Sequence, residues 1–178
     1  MPITPLVPGS TFPEITVPQL GGGEMTLGSA GGDHDWQLVI VYRGKHCPVC
    51  TGYLQQFEKR RAEFDELGIE LVAVSSDSED RASDQIVQVK STYRVGYGLS
   101  VDQMKQMGLM ISGPHNGKDV AGPFAEPGLF VVDQDRNLRV MDISNVPFAR
   151  PDINTLLLGL NFVRKKMNDG YAVSGNHM

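Results

Sequence analysis

The stretch Trp36-Gln37-Leu38-Val39-Ile40-Val41-Tyr42-Arg43-Gly44-Lys45-His46-Cys47-Pro48-Val49-Cys50 decides the fold. Its first seven residues form a dense apolar run of strand length. β-Branched and aromatic side chains dominate it, so it reads as a strand buried on both faces. Arg43-Gly44-Lys45-His46 ends the run. From Pro48 to Leu67 the pattern is helical: Leu54, Phe57, Phe64 and Leu67 share one stripe, while Lys59, Arg60, Glu63 and Glu66 face away. Pro48 suits the first helical turn, where its missing N–H costs nothing, and Gly68 ends the helix.

A strand, a turn, a Cys-x-x-Cys and a helix in this order put Cys47 at a helix N-terminus. Unpaired backbone N–H groups and the helix dipole favour negative charge there. A thiolate is such a charge, so the Cys47 thiol should titrate below the free value of about 8.5. Arg43, Lys45 and His46 are close in sequence and add positive character. Cys50 lies one turn further in, at a separation a disulfide can bridge. Cys47 is therefore the expected exposed nucleophile and Cys50 the expected buried resolving thiol. The Cys47 thiolate attacks a disulfide or a peroxide oxygen. Cys50 then displaces the mixed disulfide, or condenses with the sulfenic acid, and a Cys47–Cys50 disulfide remains.

Working outward, Phe12 to Val17 and Glu24 to Leu27 flank Gly21-Gly22-Gly23 and read as a small N-terminal hairpin. Ile69 to Ser75 is a second buried strand. Ser76 to Asp80 offers N-caps for a helix running to about Lys90. Tyr93 to Leu99 reads as a short strand, and Ser100 caps a short helix from Val101 to Leu109. Residues 110–127 read as a long loop marked by Gly113-Pro114, Asn116-Gly117 and Gly122-Pro123. Gly128 to Asp133 and Leu138 to Ile143 form a hairpin about the turn Gln134 to Asn137. Pro151 and Asp152 open a last helix with Ile153, Leu156, Leu157, Leu160 and Val163 on its apolar face. The order is β-α-β-α-β-α-β-β-α after the hairpin, which is an α/β domain.

The 178 residues fit one domain, 1–178. A net charge of -5 and a pI near 5.3 argue against nucleic-acid or anionic-membrane binding. No apolar run is long enough to span a bilayer, and the N-terminus lacks a signal-peptide pattern. A cytoplasmic protein is the expectation, and there a Cys-x-x-Cys is more often catalytic or metal-binding than structural. Two cysteines exclude a stapled secreted scaffold. His34, His46, His115 and His177 show no paired spacing of the kind zinc modules use, so neither a metal nor a cofactor is expected. Met104, Met107 and Met110 read as packing.

On these residues the chain resembles the thioredoxin-like superfamily. More narrowly, it resembles the peroxiredoxin-like redoxins of the alkyl hydroperoxide reductase/thiol-specific antioxidant branch (AhpC/TSA). The resemblance rests on Pro8-Gly9-Ser10-Thr11-Phe12-Pro13, the strand into Tyr42-Arg43-Gly44, the cysteine pair, Ala125 to Asp133, and Asp142-Ile143-Ser144-Asn145 with Pro147 to Pro151. It implies a thioredoxin-like fold, a central mixed β-sheet flanked by helices with an N-terminal β-hairpin extension. It implies that Pro127 is the cis-proline beside the active site, holding backbone against the dithiol for an extended substrate. Two departures stand out. The family's Pro-x-x-x-Thr/Ser-x-x-Cys is absent, with Ile40 and Gly44 at the matching places if Cys47 is aligned. Its arginine before the late strand is replaced by Ala125-Glu126-Pro127, and Arg43 is the candidate substitute.

Three functions follow as expectations. The first is a thiol peroxidase reducing peroxides through Cys47 and Cys50. The second is a thioredoxin-like disulfide reductase acting on protein disulfides. The third is a non-enzymatic redox sensor in which the pair switches the 110–127 loop. The first two need an external thiol reductant such as a thioredoxin or glutathione system. A homodimer is an expectation from the family alone.

Overall fold

A computed structural model of the chain describes residues 6–114, 120–167 and 172–176. β1 (Ile15–Pro18) and β2 (Glu24–Leu27) form the N-terminal hairpin. A five-stranded sheet follows in the order β5 (Arg94–Gly96), β4 (Ile69–Val74), β3 (Trp36–Val41), β8 (Gly128–Val132), β9 (Leu138–Ile143). β3 and β4 are parallel, as are β4 and β5, whereas β8 runs antiparallel to both β3 and β9. The sheet is mixed, and the helices are α1 (Pro48–Lys59), α2 (Arg61–Glu66), α3 (Glu79–Val89), α4 (Val101–Gln106) and α5 (Ile153–Met167).

β3 is buried at every position, and its two-residue period divides its side chains between two cores. Trp36, Leu38 and Ile40 join Leu54, Phe57, Phe64, Leu157, Leu160 and both cysteines on one face. Val39 and Val41 join Phe12, Val17, Leu27, Met104, Met107 and Phe130 on the other. The hairpin thus covers the face opposite the cysteines. Met104 and Met107 are core, as expected, whereas Met110 is half exposed.

Four elements differ from the sequence reading. The helix expected from Pro48 to Leu67 is two helices, broken at Arg60 (φ -108°, ψ 8°). The Arg60 N–H bonds the Phe57 carbonyl at 3.1 Å, three residues back, which tightens the turn. The break brings the Phe57 and Phe64 rings to 5.6 Å in the core. Burying a ring stabilises by about 1.5–3 kcal/mol, against about 0.5–1.5 kcal/mol net for one helical hydrogen bond. Packing therefore wins. The strand expected over Tyr93 to Leu99 shrinks to β5, and the helix expected to Leu109 stops at Gln106. Ser100 does cap α4, in a reciprocal box with Gln103.

The 110–127 segment is not all loop: β6 (Ile111–Ser112) pairs antiparallel with β7 (Phe124–Ala125). Asn116-Gly117 and His115 lie outside the described residues, as does His177. No described helix is long and apolar enough to cross a membrane.

Candidate active site

The β3–α1 turn carries the site. Gly44 has φ 133°, and a Cβ there would lie 2.8 Å from Asp77 Oδ1. Only glycine allows this backbone and this approach. The Asp77 carboxylate from the β4–α3 loop accepts the Lys45 N–H at 2.7 Å and pairs with Arg81 at 3.1 Å. Lys45 itself reaches Asp84 on α3. The turn is thereby bolted to its neighbour, and the chain enters α1 with Cys47 as N-cap.

Cys47 accepts the Cys50 N–H on Sγ at 3.2 Å, as a capping side chain does. Its thiol is pulled down to about 6, first by a hydrogen bond from the Cys50 thiol, then by the Cys50 N–H and the Arg43 guanidinium, against burial. Cys50 is driven the other way, mainly by burial and by its bond to Cys47. At neutral pH the pair holds one thiolate, on Cys47, and one thiol, on Cys50. The lowered Cys47 thiol agrees in direction with the sequence reading, but Cys47 is not exposed: it is 2% accessible, and Cys50 is 0%. The Cys47 sulfur turns inward to meet the Cys50 N–H, which is what shields it. Both cysteines are free.

Arg43 lies beside Cys47, its Cζ 5.0 Å from the Phe124 ring centre, and pairs with Glu126 at 3.0 Å. His46 also meets Phe124, edge-on at 4.7 Å, and burial together with Arg43 lowers its titration. It is therefore neutral at pH 7. A cleft of about 240 Å³ opens here, lined by Arg43, His46, Ser78, Arg81, Pro123 and Phe124 among others.

On the far side, Arg150 places Nη2 2.6 Å from Cys50 Sγ and stacks its Cζ 4.8 Å from the Tyr53 ring centre. The Tyr53 hydroxyl donates to the Pro151 carbonyl at 2.8 Å. Sequence reasoning quoted Arg150 in a stretch of resemblance and gave it no role. It lies 100 residues from Cys50, and no local pattern connects them.

Pro127 is a correction. No described peptide bond is cis, Glu126–Pro127 included. The chain runs extended from β7 into β8. The Glu126 N–H donates to the Met110 carbonyl at 2.8 Å, and the Pro127 carbonyl accepts the Ser144 N–H at 3.0 Å. The trans bond keeps the chain extended between these two pairings, and the Glu126 N–H and the Pro127 carbonyl are already taken. Pro127 borders a cavity of about 10 Å³ with Tyr53 and Arg150, so it shapes the site without offering a strand edge. Glu126 also accepts from Ser112 at 2.7 Å. The charge expected from an arginine at this point is inverted, and Arg43 supplies the cation from across the site.

Among the described residues, the buried side-chain atoms without a hydrogen-bond or ion-pair partner are Tyr42 Oη, His46 Nε2, Gln85 Oε1 and Arg150 Nε, while Arg43 Nε and Glu126 Oε2 meet each other as an ion pair at 3.0 Å. All belong to the surroundings of the cysteines; Gln85 joins them through Thr51, whose Oγ1 bonds the Cys47 carbonyl. Unpaired buried groups are costly, and their concentration at one place marks a site built for a polar guest. No three described His, Cys, Asp or Glu side chains converge to hold a metal.

The AhpC/TSA family model matches residues 8–141. A curated peroxiredoxin of Thermoplasma volcanium is 27% identical over 137 residues, 77% of this chain and 65% of the relative. The chain thus matches slightly less than two thirds of that relative's length. Peroxidoxin BcpB of Mycobacterium tuberculosis superposes with a TM-score of 0.72 at 18% identity, covering 89% of this chain and 98% of that one. The reduced 2-Cys peroxiredoxin of Plasmodium vivax gives 0.74 at 13% identity, covering 93% and 86%. These likenesses show the thioredoxin fold of the peroxiredoxins. With the family model spanning most of its length and the cysteine turn inside the match, the chain belongs to the AhpC/TSA family.

Proposed function

We propose that this chain is a thiol peroxidase that reduces peroxides through a Cys47–Cys50 disulfide. The observation that carries this is the sealed dithiol: a Cys47 thiolate, 2% accessible, among unpaired buried polar groups. A peroxide is small and polar enough to enter such a site, whereas a protein disulfide needs an accessible sulfur and a free strand edge. The closed backbone at Pro127 offers no such edge.

The cycle begins as the Cys47 thiolate attacks one peroxide oxygen. The O–O bond breaks, the leaving oxygen takes a proton to become an alcohol or water, and Cys47 becomes a sulfenic acid. Arg43 holds the thiolate and faces the charge developing on the leaving oxygen. Cys50 then attacks the Cys47 sulfur, hydroxide leaves, and the proton released by Cys50 converts it to water. Two molecules of a small external thiol of the glutathione kind, able to reach the buried sulfurs, restore both thiols and leave as their own disulfide. A reducing compartment such as the cytoplasm is the setting this requires.

The test is rapid mixing of the reduced protein with hydrogen peroxide, with Cys47→Ser as control. Oxidation far faster than that of a free thiol supports the reading. A rate no better than a free thiol, together with turnover of insulin disulfides, would replace it by the disulfide-reductase reading.

A further inference from the structure

We propose that Arg150 is the catalytic residue of the second half-reaction: its guanidinium holds the Cys50 sulfur as that sulfur becomes the attacking thiolate. This rests on the reading that Cys47 attacks peroxide and Cys50 resolves.

The geometry divides two arginines between two sulfurs. Arg43 serves Cys47, and Arg150 Nη2 lies 2.6 Å from Cys50 Sγ. Arg150 is held in place on both sides. Its planar group rests on the Tyr53 ring at 4.8 Å, and the next residue is fixed by the Tyr53 hydroxyl at the Pro151 carbonyl. A guanidinium cannot lose its charge under any working condition, and its fork of donors keeps contact with a sulfur that moves slightly.

The second half-reaction needs this help more than the first. Cys50 is fully buried in an apolar cluster, and burial opposes its ionisation. In the resting pair its thiol also donates a hydrogen bond to the Cys47 thiolate, which holds its proton in place. Once Cys47 is a sulfenic acid that acceptor is gone. Cys50 must then release the proton to the departing hydroxide while its own sulfur gains charge. The S–S bond forms as the S–O bond breaks, and one water leaves. Arg150 meets the charge where it develops. Its Nε–H is buried and makes no hydrogen bond.

A slow second step has a visible consequence. The sulfenic acid survives long enough to meet another peroxide and becomes sulfinic acid, which does not return to the cycle.

The experiment compares the full chain with Arg150→Met and Arg150→Lys. Each is mixed with hydrogen peroxide, quenched by alkylation and read by intact mass for sulfenic acid, disulfide and sulfinic acid; circular dichroism confirms folding. In Arg150→Met, Cys47 oxidation should stay within about twofold of the parent, while disulfide closure slows roughly ten- to hundred-fold, as loss of one charge-assisted hydrogen bond implies. Sulfinic acid should accumulate. Arg150→Lys, with its charge retained and its fork lost, should recover part of the closure rate. The proposal is overturned if closure proceeds at the parent rate. It is equally overturned if both steps slow together in the folded variants, since Arg150 would then act on the whole site. The parent arm tests the underlying reading separately: a parent that reacts with peroxide and never forms the Cys47–Cys50 disulfide removes both.

Discussion

Cys47 and Cys50 sit one turn apart on the same helix end, both buried, and their sulfurs are treated in opposite ways. Burial raises both thiols. At Cys47 it is outweighed by the Cys50 thiol, the Cys50 N–H and Arg43, which all donate to one sulfur. At Cys50 the same inter-thiol bond works in reverse, because the proton it shares is its own. The difference teaches that the motif alone does not assign the roles. The balance of burial against donors at each sulfur does: at Cys50 burial is the largest influence, and Arg150 with the Arg43 N–H offsets only part of it.

The largest test of that asymmetry exchanges the sulfurs one at a time. Cys47→Ser should cost on the order of a thousand-fold or more in peroxide consumption, as loss of a nucleophile does. Cys50→Ser should keep a rapid first oxidation, form no intramolecular disulfide and pass on to sulfinic acid with excess peroxide, read by intact mass. Equal losses in both variants would erase the distinction.

Next in size is the donor side. Arg43→Met should slow oxidation of Cys47 roughly hundred-fold, the typical cost of one donor facing developing charge. Stopped-flow oxidation rates check this. If Arg43 only braces Glu126, the loss will appear in thermal stability and leave the rate alone.

The pH dependence sharpens the comparison further. Alkylation of Cys47 should titrate with a midpoint near 6. Its rate should fall about tenfold per pH unit below that midpoint, where the thiol is protonated, and level off above pH 7. Cys50 should stay slow across the range. Arg43→Met should move the midpoint upward, and a pH–rate series with mass readout of each cysteine decides it.

The smallest effect concerns the turn beneath both sulfurs. Gly44→Ala should destabilise the fold by about 1–3 kcal/mol, through positive φ and contact with Asp77. Urea unfolding measures it. A neutral outcome would mean that Asp77 yields and that the turn is not bolted.

The local parts of this arrangement were legible in the sequence. The run from Trp36 to Tyr42 specifies a buried strand by composition, and Pro48 with the Cys-x-x-Cys places the cysteines at a helix start. The hairpin about Gly21-Gly22-Gly23 and the apolar face of α5 were readable in the same way. Contacts across the fold were not. Arg150 reaches Cys50 from 100 residues away, and the Arg43–Glu126 pair joins a turn to a late strand. Nothing in the spacing records either. The break at Arg60 escaped because Phe57 and Phe64 keep a helical period across it, and the β6–β7 pair escaped because turn residues surround it. The cis-proline expected at Pro127 came from resemblance and failed on a local fact. Met110 and Ser144 already occupy the backbone around it.

The Asp77 bolt carries one more implication. The turn before Cys47 is fastened to the β4–α3 loop through Lys45, Arg81 and the close approach to Gly44. The two sulfurs are already neighbours within that frame, so closing the disulfide asks for no unwinding of α1. Oxidised and reduced molecules are then expected to share one outline. What changes between them is the disappearance of a single negative charge beneath Arg43. A partner that distinguishes the two forms would have to sense a voltage rather than a shape.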